Sequence, residues 1–215
     1  MLADFLGDSP ESVIPIHLLR QGLCDAWISG NVEKPVGAVV QSTSVMEEPW
    51  AFGDAEVIWR LLENATGWWT VNVSDALARP LGVVLERETK GRAHNYGDVY
   101  YTLARAAASF RSPEVRRLKT GDEPLMARYM GTPTWAGSEG FETMAAGAVV
   151  DGKLVGLAHV SAVTERHADI GVSTLEPWRG RGFATAAASI VARLVRESGR
   201  TPVWSAGEGN AASLR

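Results

Sequence analysis

The chain predicts an α+β fold in which strands and helices are mixed along its whole length, and three observations carry that expectation. Residues 168–196 join a short apolar strand to an amphipathic helix through a loop holding two arginines and two glycines. Twice, at 24–28 with 35–41 and at 144–150 with 154–162, two apolar runs face each other across turn residues, as in a β-hairpin. Between these lie stretches whose apolar residues recur at helical spacing, and 215 residues with 46% hydrophobic content can bury one large core or two modest ones.

Taken in order, Val13, Ile14, Ile16, Leu18 and Leu19 predict a short helix over 12–23 begun near Pro15, with His17 beside its apolar stripe as a structural histidine. The hairpin 24–41 turns at Gly30-Asn31. After Glu47-Glu48-Pro49, residues Val57, Ile58, Leu61 and Leu62 share one face of a helix over 54–64. Alternation over 68–73 predicts a strand, Ser74-Asp75 a helix cap, and 76–88 a helix whose start Pro80 can displace. Another strand is expected at 96–103. The second half opens with a strand at 115–118 and a helix at 122–130 with Pro124 in its first turn, followed by a loop at 132–140. The hairpin 144–162 turns at Asp151-Gly152, and a turn at 164–168 leads to the strand 169–174, which Pro177 stops. From Gly182, Phe183, Ala187, Ile190, Val191 and Leu194 define the amphipathic helix, and 202–205 is a last strand.

The loop between that strand and that helix is built to hold an anion. The first turn of a helix leaves backbone N–H groups unpaired and carries partial positive charge. Gly180 and Gly182 let an anion approach the backbone, and Arg179 and Arg181 add charge. A dinucleotide loop of the form G-x-G-x-x-G fits poorly, because Thr185 stands at the third glycine and Pro177 separates loop from strand. Arg179-Gly180-Arg181-Gly182-Phe183-Ala184 instead follows [Q/R]-x-x-G-x-[G/A]. With its strand, it resembles the acetyl-CoA pyrophosphate loop of the GNAT N-acetyltransferase superfamily. Val115 to Leu118 with Thr120-Gly121-Asp122, Pro202 to Ser205, and Asn210 to Ser213 are similar to that family's opening strand and helix, fifth strand and last helix.

The resemblance implies a central mixed sheet flanked by helices and direct transfer of an acetyl group from acetyl-CoA to an amine. Val172, Ser173 and Thr174 would offer backbone groups to the pantetheine arm and the thioester carbonyl. Residues Gly180, Arg181, Gly182, Phe183, Ala184 and Thr185, with Arg179, would hold the pyrophosphate, and Asn210 would stand near the pantetheine or serve as a helix cap. Thr134, Trp135, Ser138 and Glu139 would border the acceptor. Asp169, Glu165, His167 and His159 lie on or beside the central strands as candidate bases, Asp169 foremost because its strand leads into the thioester-polarising backbone. A tyrosine protonating the thiolate is expected beyond Arg215, in a tail that would complete the last helix, so the sequence is expected to be part of a longer polypeptide. A non-catalytic acyl-CoA-binding module is the alternative function.

The two halves also share short landmarks. Val36-Gly37-Ala38 parallels Val155-Gly156-Leu157, and Glu48-Pro49-Trp50 returns as Glu176-Pro177-Trp178, each expected just before a helix. The first half then continues Ala51-Phe52-Gly53-Asp54, whose aspartate would repel phosphate, so it is expected to bind no coenzyme A. It is either a degenerate GNAT-like domain or an unrelated α+β domain. Ala106 to Pro113 is the expected linker, giving domains 1–110 and 111–215.

A formal net charge of -4 and a pI near 5.6 argue against nucleic acid. One cysteine, Cys24, excludes an internal disulfide framework, no apolar run is long enough for a membrane span, and the acidic N-terminus lacks a signal-peptide pattern. The expected setting is the cytoplasm. The expected partners are coenzyme A and a small-molecule or peptide amine, with the chain a monomer or homodimer and no metal bound.

Overall fold

The structure, a computed structural model, describes residues 2–103, 110–131, 144–211 and 213–214. It divides into two compact units, Met1–Val99 with Ala206–Arg215, and Tyr100–Ser205. The divisions fall inside two strands, at 99/100 and 205/206, whereas composition places the linker at 106–113, of which 106–109 lie outside the described residues.

The first unit begins with helices α1 (Leu2–Leu6) and α2 (Val13–Gln21), the latter closed by Gly22 in the left-handed region, its N–H bonded to the Leu18 carbonyl. Strands β1 (Cys24–Asn31), β2 (Lys34–Ser42) and β3 (Trp50–Gly53) form an antiparallel meander. Helix α3 (Ala55–Leu62) follows at once, capped by Asp54, whose carboxylate accepts from the N–H groups of Glu56 and Val57 at 3.0 and 3.1 Å. Val39, Ala51, Ile58, Leu62, Leu77, Leu81 and Val84 make the core, with Trp27, Trp59 and Trp68 against it. Gln41 is buried at the end of β2. Its amide donates to the carbonyls of Met46 and Thr66 at 2.7 and 2.8 Å and accepts from Thr66 N–H at 3.3 Å, so it closes two loops without an orphaned group.

Two expectations fail here for identifiable reasons. The strand over 68–73 shrinks to one parallel bridge, Trp50 to Asn72, because Trp69 and Thr70 both donate to the Glu47 carbonyl and turn the chain. The alternation of residues there reflects Trp68 instead, whose indole N–H satisfies the Leu62 carbonyl at the end of α3. Pro80 does not start its helix: α4 runs from Asp75 to Thr89 with Pro80 inside. At the sixth helical position the missing N–H removes only one intrahelical bond, since the first four N–H groups have no partner in any helix.

The second unit holds most of a six-stranded sheet in the order β4 (Asp98–Thr102), β9 (Thr201–Gly207), β8 (His167–Thr174), β7 (Lys153–Val163), β6 (Ala145–Val150), β5 (Val115–Arg117). The pairs from β5 to β8 are antiparallel, and β8 to β9 is parallel. Helix α6 (Phe183–Glu197) covers one face, where Ala187, Val191 and Val195 pack on Ala146, Ala158, Ala168 and Ile170. The small residues let the helix lie close to the sheet. Helix α5 (Glu123–Met130) belongs to the other face, where Leu118, Met126, Ala145 and Leu157 form a second cluster.

The two units repeat one construction. In the first hairpin Asn31 faces Lys34, Gly30 faces Pro35, and after a bulge Ser29 faces Gly37. In the second, Val150 faces Lys153, Val149 faces Leu154, and after a bulge Ala148 faces Gly156. Each hairpin gains a third antiparallel strand, then a helix, then a parallel contact to the third strand. The Val-Gly landmarks therefore occupy equivalent places. The Glu-Pro-Trp triplets do not: Glu48-Pro49 precedes β3 and Trp50 begins it, whereas Glu176–Trp178 is a 3-10 turn after β8. The connections also differ, since Asp54 alone separates Gly53 from α3, while residues 175–182 separate Thr174 from α6.

Helix α5 is tied to β5 by Asp122, which accepts from both terminal nitrogens of Arg116 at 2.7 and 2.8 Å and from Lys119 N–H at 2.9 Å. The guanidinium holds its carboxyl down at about 2. Asp122→Asn is expected to lower stability by about 1 kcal/mol in urea denaturation, little more because Arg116 is half exposed. A depressed carboxyl stabilises when ionised. The wild-type advantage should be complete above the ordinary carboxylate range and vanish as pH falls towards that value.

Candidate active site at the β8 to α6 junction

Among the described residues, β8 beyond Asp169 has a neighbour on one edge only. Its ladder to β9 pairs His167, Ala168 and Asp169 with Thr201, Pro202 and Val203 and stops there, while its ladder to β7 continues to Thr174 opposite Gly156. Leu175 donates to the Val155 carbonyl at 2.9 Å, and in an antiparallel pair such bonds recur at every second residue. Gly171 and Ser173 thus direct their backbone groups to β7, and Val172 and Thr174 direct theirs to the edge that β9 has left. Of the three residues expected to offer backbone groups, Val172 and Thr174 can do so. Ser173 contributes its side chain elsewhere, accepting from the Tyr129 hydroxyl at 3.1 Å.

The loop that follows is held from beneath. Phe183, 6% exposed, packs with Ala148 and Val155, and its ring stacks on Trp178 with centroids 6.4 Å apart. Trp178 in turn carries the Arg181 guanidinium 4.6 Å above its ring, and Arg179 Nε donates to the Thr174 carbonyl at 3.2 Å. Both arginines are exposed at their ends of the loop. Gly180 and Gly182 have φ of 75° and 77°, the left-handed region, and a Cβ on either would meet nothing within 4 Å. Glycine is thus required there by backbone conformation, and the space before the loop is open. Among the described residues, no backbone N–H from Gly180 to Thr185 donates to a protein acceptor; the first to do so is Ala186, to Gly182. Phe183 offers this row only its N–H, since its side chain belongs to the core. The donors, the charge and the open space fit a diphosphate, and the free edge of β8 fits an extended amide-bearing arm such as pantetheine.

The candidate bases differ sharply in environment. Asp169 is 8% exposed and receives the Ser161 hydroxyl on Oδ2; burial pushes its carboxyl above the ordinary range, and the Ser161 bond partly offsets this. His159 lies on β7 opposite Gly171, and burial holds its imidazole below the usual range. His167 is buried in a tight turn where Thr164 accepts from its backbone N–H at 3.1 Å, and Glu165 stands in that turn. Asn210 falls in the other compact unit. It forms a turn with Ser213 and Leu214, its Oδ1 accepting from Ser213 N–H at 3.3 Å, and the described residues beyond it are not helical, so the expected start of a last helix is not seen among them. Thr134, Trp135, Ser138 and Glu139 lie outside the described residues. Sequence reasoning missed Tyr129 and the role of Trp178, the former because nothing local links it to Ser173, 44 residues away. Among the described residues no cluster of metal-ligating side chains occurs, and no helix is long and apolar enough to cross a membrane.

Residues 119–215 match the family model for GNAT acetyltransferases. The fold is similar to that of a GCN5-related N-acetyltransferase-like protein from Streptococcus suis 89/1591, with a TM-score of 0.67 at 19% identity, covering 99% of this chain and 88% of that one. A GCN5-related N-acetyltransferase from Kribbella flavida gives 0.63 at 16%, covering 100% and 88%. A tandem GNAT protein from the clavulanic acid biosynthesis pathway gives 0.53 at 14%, covering 89% and 76%. The comparison with curated proteins gives no match.

Because a raised carboxyl binds its proton more tightly in the folded state, protonation of Asp169 stabilises the protein at low pH, and that contribution is lost as pH rises through the raised value. Asp169→Asn, which keeps an acceptor for Ser161, should therefore melt no lower than wild type in mildly alkaline buffer. The difference should close or reverse in acid. Paired thermal melts at the two ends of that range measure it.

Proposed function

From the match of residues 119–215 to the family model for GNAT acetyltransferases, we propose that the protein moves the acetyl group of acetyl-CoA to an amine of a small molecule or peptide by direct transfer. The observation that carries the reading is the row of unclaimed N–H groups from Gly180 to Thr185 adjoining the free edge of β8. Bound acetyl-CoA supplies an acyl group already activated on sulfur. The N–H groups of Gly180 to Thr185 bind the diphosphate, with Arg179 and Arg181 adding charge from the two ends of the loop. Thr174 and Val172 bind the extended arm as a neighbouring strand would, and the Val172 N–H points where a thioester carbonyl gaining charge would be stabilised.

The first unit we read as a degenerate copy of the same construction. Its hairpin register and bulge support this, and the Asp54 carboxylate takes the helix N-terminus that a diphosphate would need.

Calorimetric titration with CoA tests the assignment. One equivalent should bind per chain. Gly182→Trp, which forces a side chain onto a residue at φ 77° in front of the N–H row, should abolish measurable binding. Arg179→Ala should weaken it by about 10- to 100-fold, as for loss of a charge-assisted contact. Unchanged affinity in Gly182→Trp would place the diphosphate elsewhere.

A further inference from the structure

The acceptor side of the reaction still needs a group that takes a proton, because an aliphatic amine is an ammonium ion at neutral pH and cannot attack a thioester. The sheet face on the α5 side carries a row of candidates. Along β8 this face presents His167, Asp169, Gly171 and Ser173, and across the ladder His159 of β7 faces Gly171 on one side and Ala145 of β6 on the other. His159 thus has the smallest residues on both flanks. Its ring atoms lie 3.1 Å (Cε1), 3.5 Å (Nε2) and 3.7 Å (Nδ1) from where a Cβ on Gly171 would stand, so the imidazole is laid over the backbone of β8. That spot adjoins Val172, whose N–H and carbonyl face the open edge. On the same face Asp169 holds the Ser161 hydroxyl and is 8% exposed, and the Tyr129 hydroxyl donates to Ser173.

We propose that His159 is the base that accepts the proton of the acceptor amine, its imidazole carried from β7 onto β8 by the missing side chain at Gly171. The inference rests on the acyl-transfer reading above. The ammonium gives one proton to an imidazole nitrogen, the nitrogen lone pair so freed forms the new C–N bond at the acyl carbon, the C–S bond breaks with its electrons on sulfur, and the thiolate takes the second proton, which the nitrogen sheds on becoming an amide, so that charge and atoms balance. The described titratable groups on this face are His167 and Asp169 from β8, Tyr129 from α5 and, on β5, Arg116 paired with Asp122 at the start of α5, and β6 adds none opposite His159. Burial keeps the imidazole neutral near neutral pH, the form that can accept a proton.

Bromoacetyl-CoA tests this without knowledge of the acceptor. Held by its CoA portion, it places an alkylating carbon beside the acyl position; an imidazole nitrogen displaces bromide, a C–N bond forms, and the imidazole proton is released. Peptide mapping by mass spectrometry on the full chain should find the adduct on His159, prevented by excess CoA. His159→Gln should slow the CoA-protectable labelling by about 100-fold or more, and Gly171→Ala, which displaces the ring by a few tenths of an ångström, by about tenfold. Both variants should bind CoA like wild type in calorimetry. An adduct on Asp169 or Tyr129, protectable labelling that persists in His159→Gln, or no labelling although CoA binds would each overturn the assignment. Failure of wild-type protein to bind CoA at all would bring down the acyl-transfer reading itself, and the two failures are therefore told apart.

Discussion

A parallel ladder that ends after three pairs is the constraint on which the site depends. Were β9 to follow β8 to its end, the backbone groups of Val172 and Thr174 would be consumed by the sheet, and no ligand could be added as a strand. Because the ladder stops at Asp169 and Val203, β8 keeps one edge bonded to β7 and, among the described residues, has no strand on the other. The cost of unpaired backbone groups is tolerable only where water or a ligand can reach them. That edge, where the Thr174 carbonyl already accepts from Arg179 Nε, leads into the loop whose N–H groups from Gly180 to Thr185 meet no protein acceptor among the described residues.

The loop itself keeps its shape through packing, since few hydrogen bonds constrain it. Phe183 is sunk between Ala148 and Val155, Trp178 leans on Phe183, and Arg181 lies on Trp178. An apolar stack thus fixes residues on both sides of the two left-handed glycines, and these in turn aim the N–H groups outwards. The same face logic orders the other side of the sheet, where Asp122 pins the start of α5 to β5 and Tyr129, near its end, meets Ser173.

Much of this was legible in the chain. The hairpins, the strand-to-helix junction and the anion loop each declare themselves through local pattern, because alternation, helical spacing and glycine placement act over a few residues. What failed was non-local or shared between causes. Trp68 alternates with its neighbours yet serves to cap α3, Pro80 sits where a helix tolerates it, and Asn210 forms a turn bond that resembles a cap with no helix after it among the described residues. Within the site, the arginines and glycines could be named from sequence, but which strand residues face the open edge depends on where the β8 to β9 ladder ends. The placement of His159 over Gly171 depends likewise on register between strands.

The two meanders share a register down to the bulge, and one connection is a single aspartate where the other is eight residues long. On the acyl-transfer reading proposed above, nearly all the residue choices that a nucleotide would impose on such a unit lie in the longer connection; the remainder of the unit is restricted only to being apolar at the right spacing. A unit under no such demand can exchange almost every side chain while its backbone pairing persists. A likeness of that sort persists in strand register where side chains no longer repeat it, and in this chain the length of one connection is what sets the two halves apart.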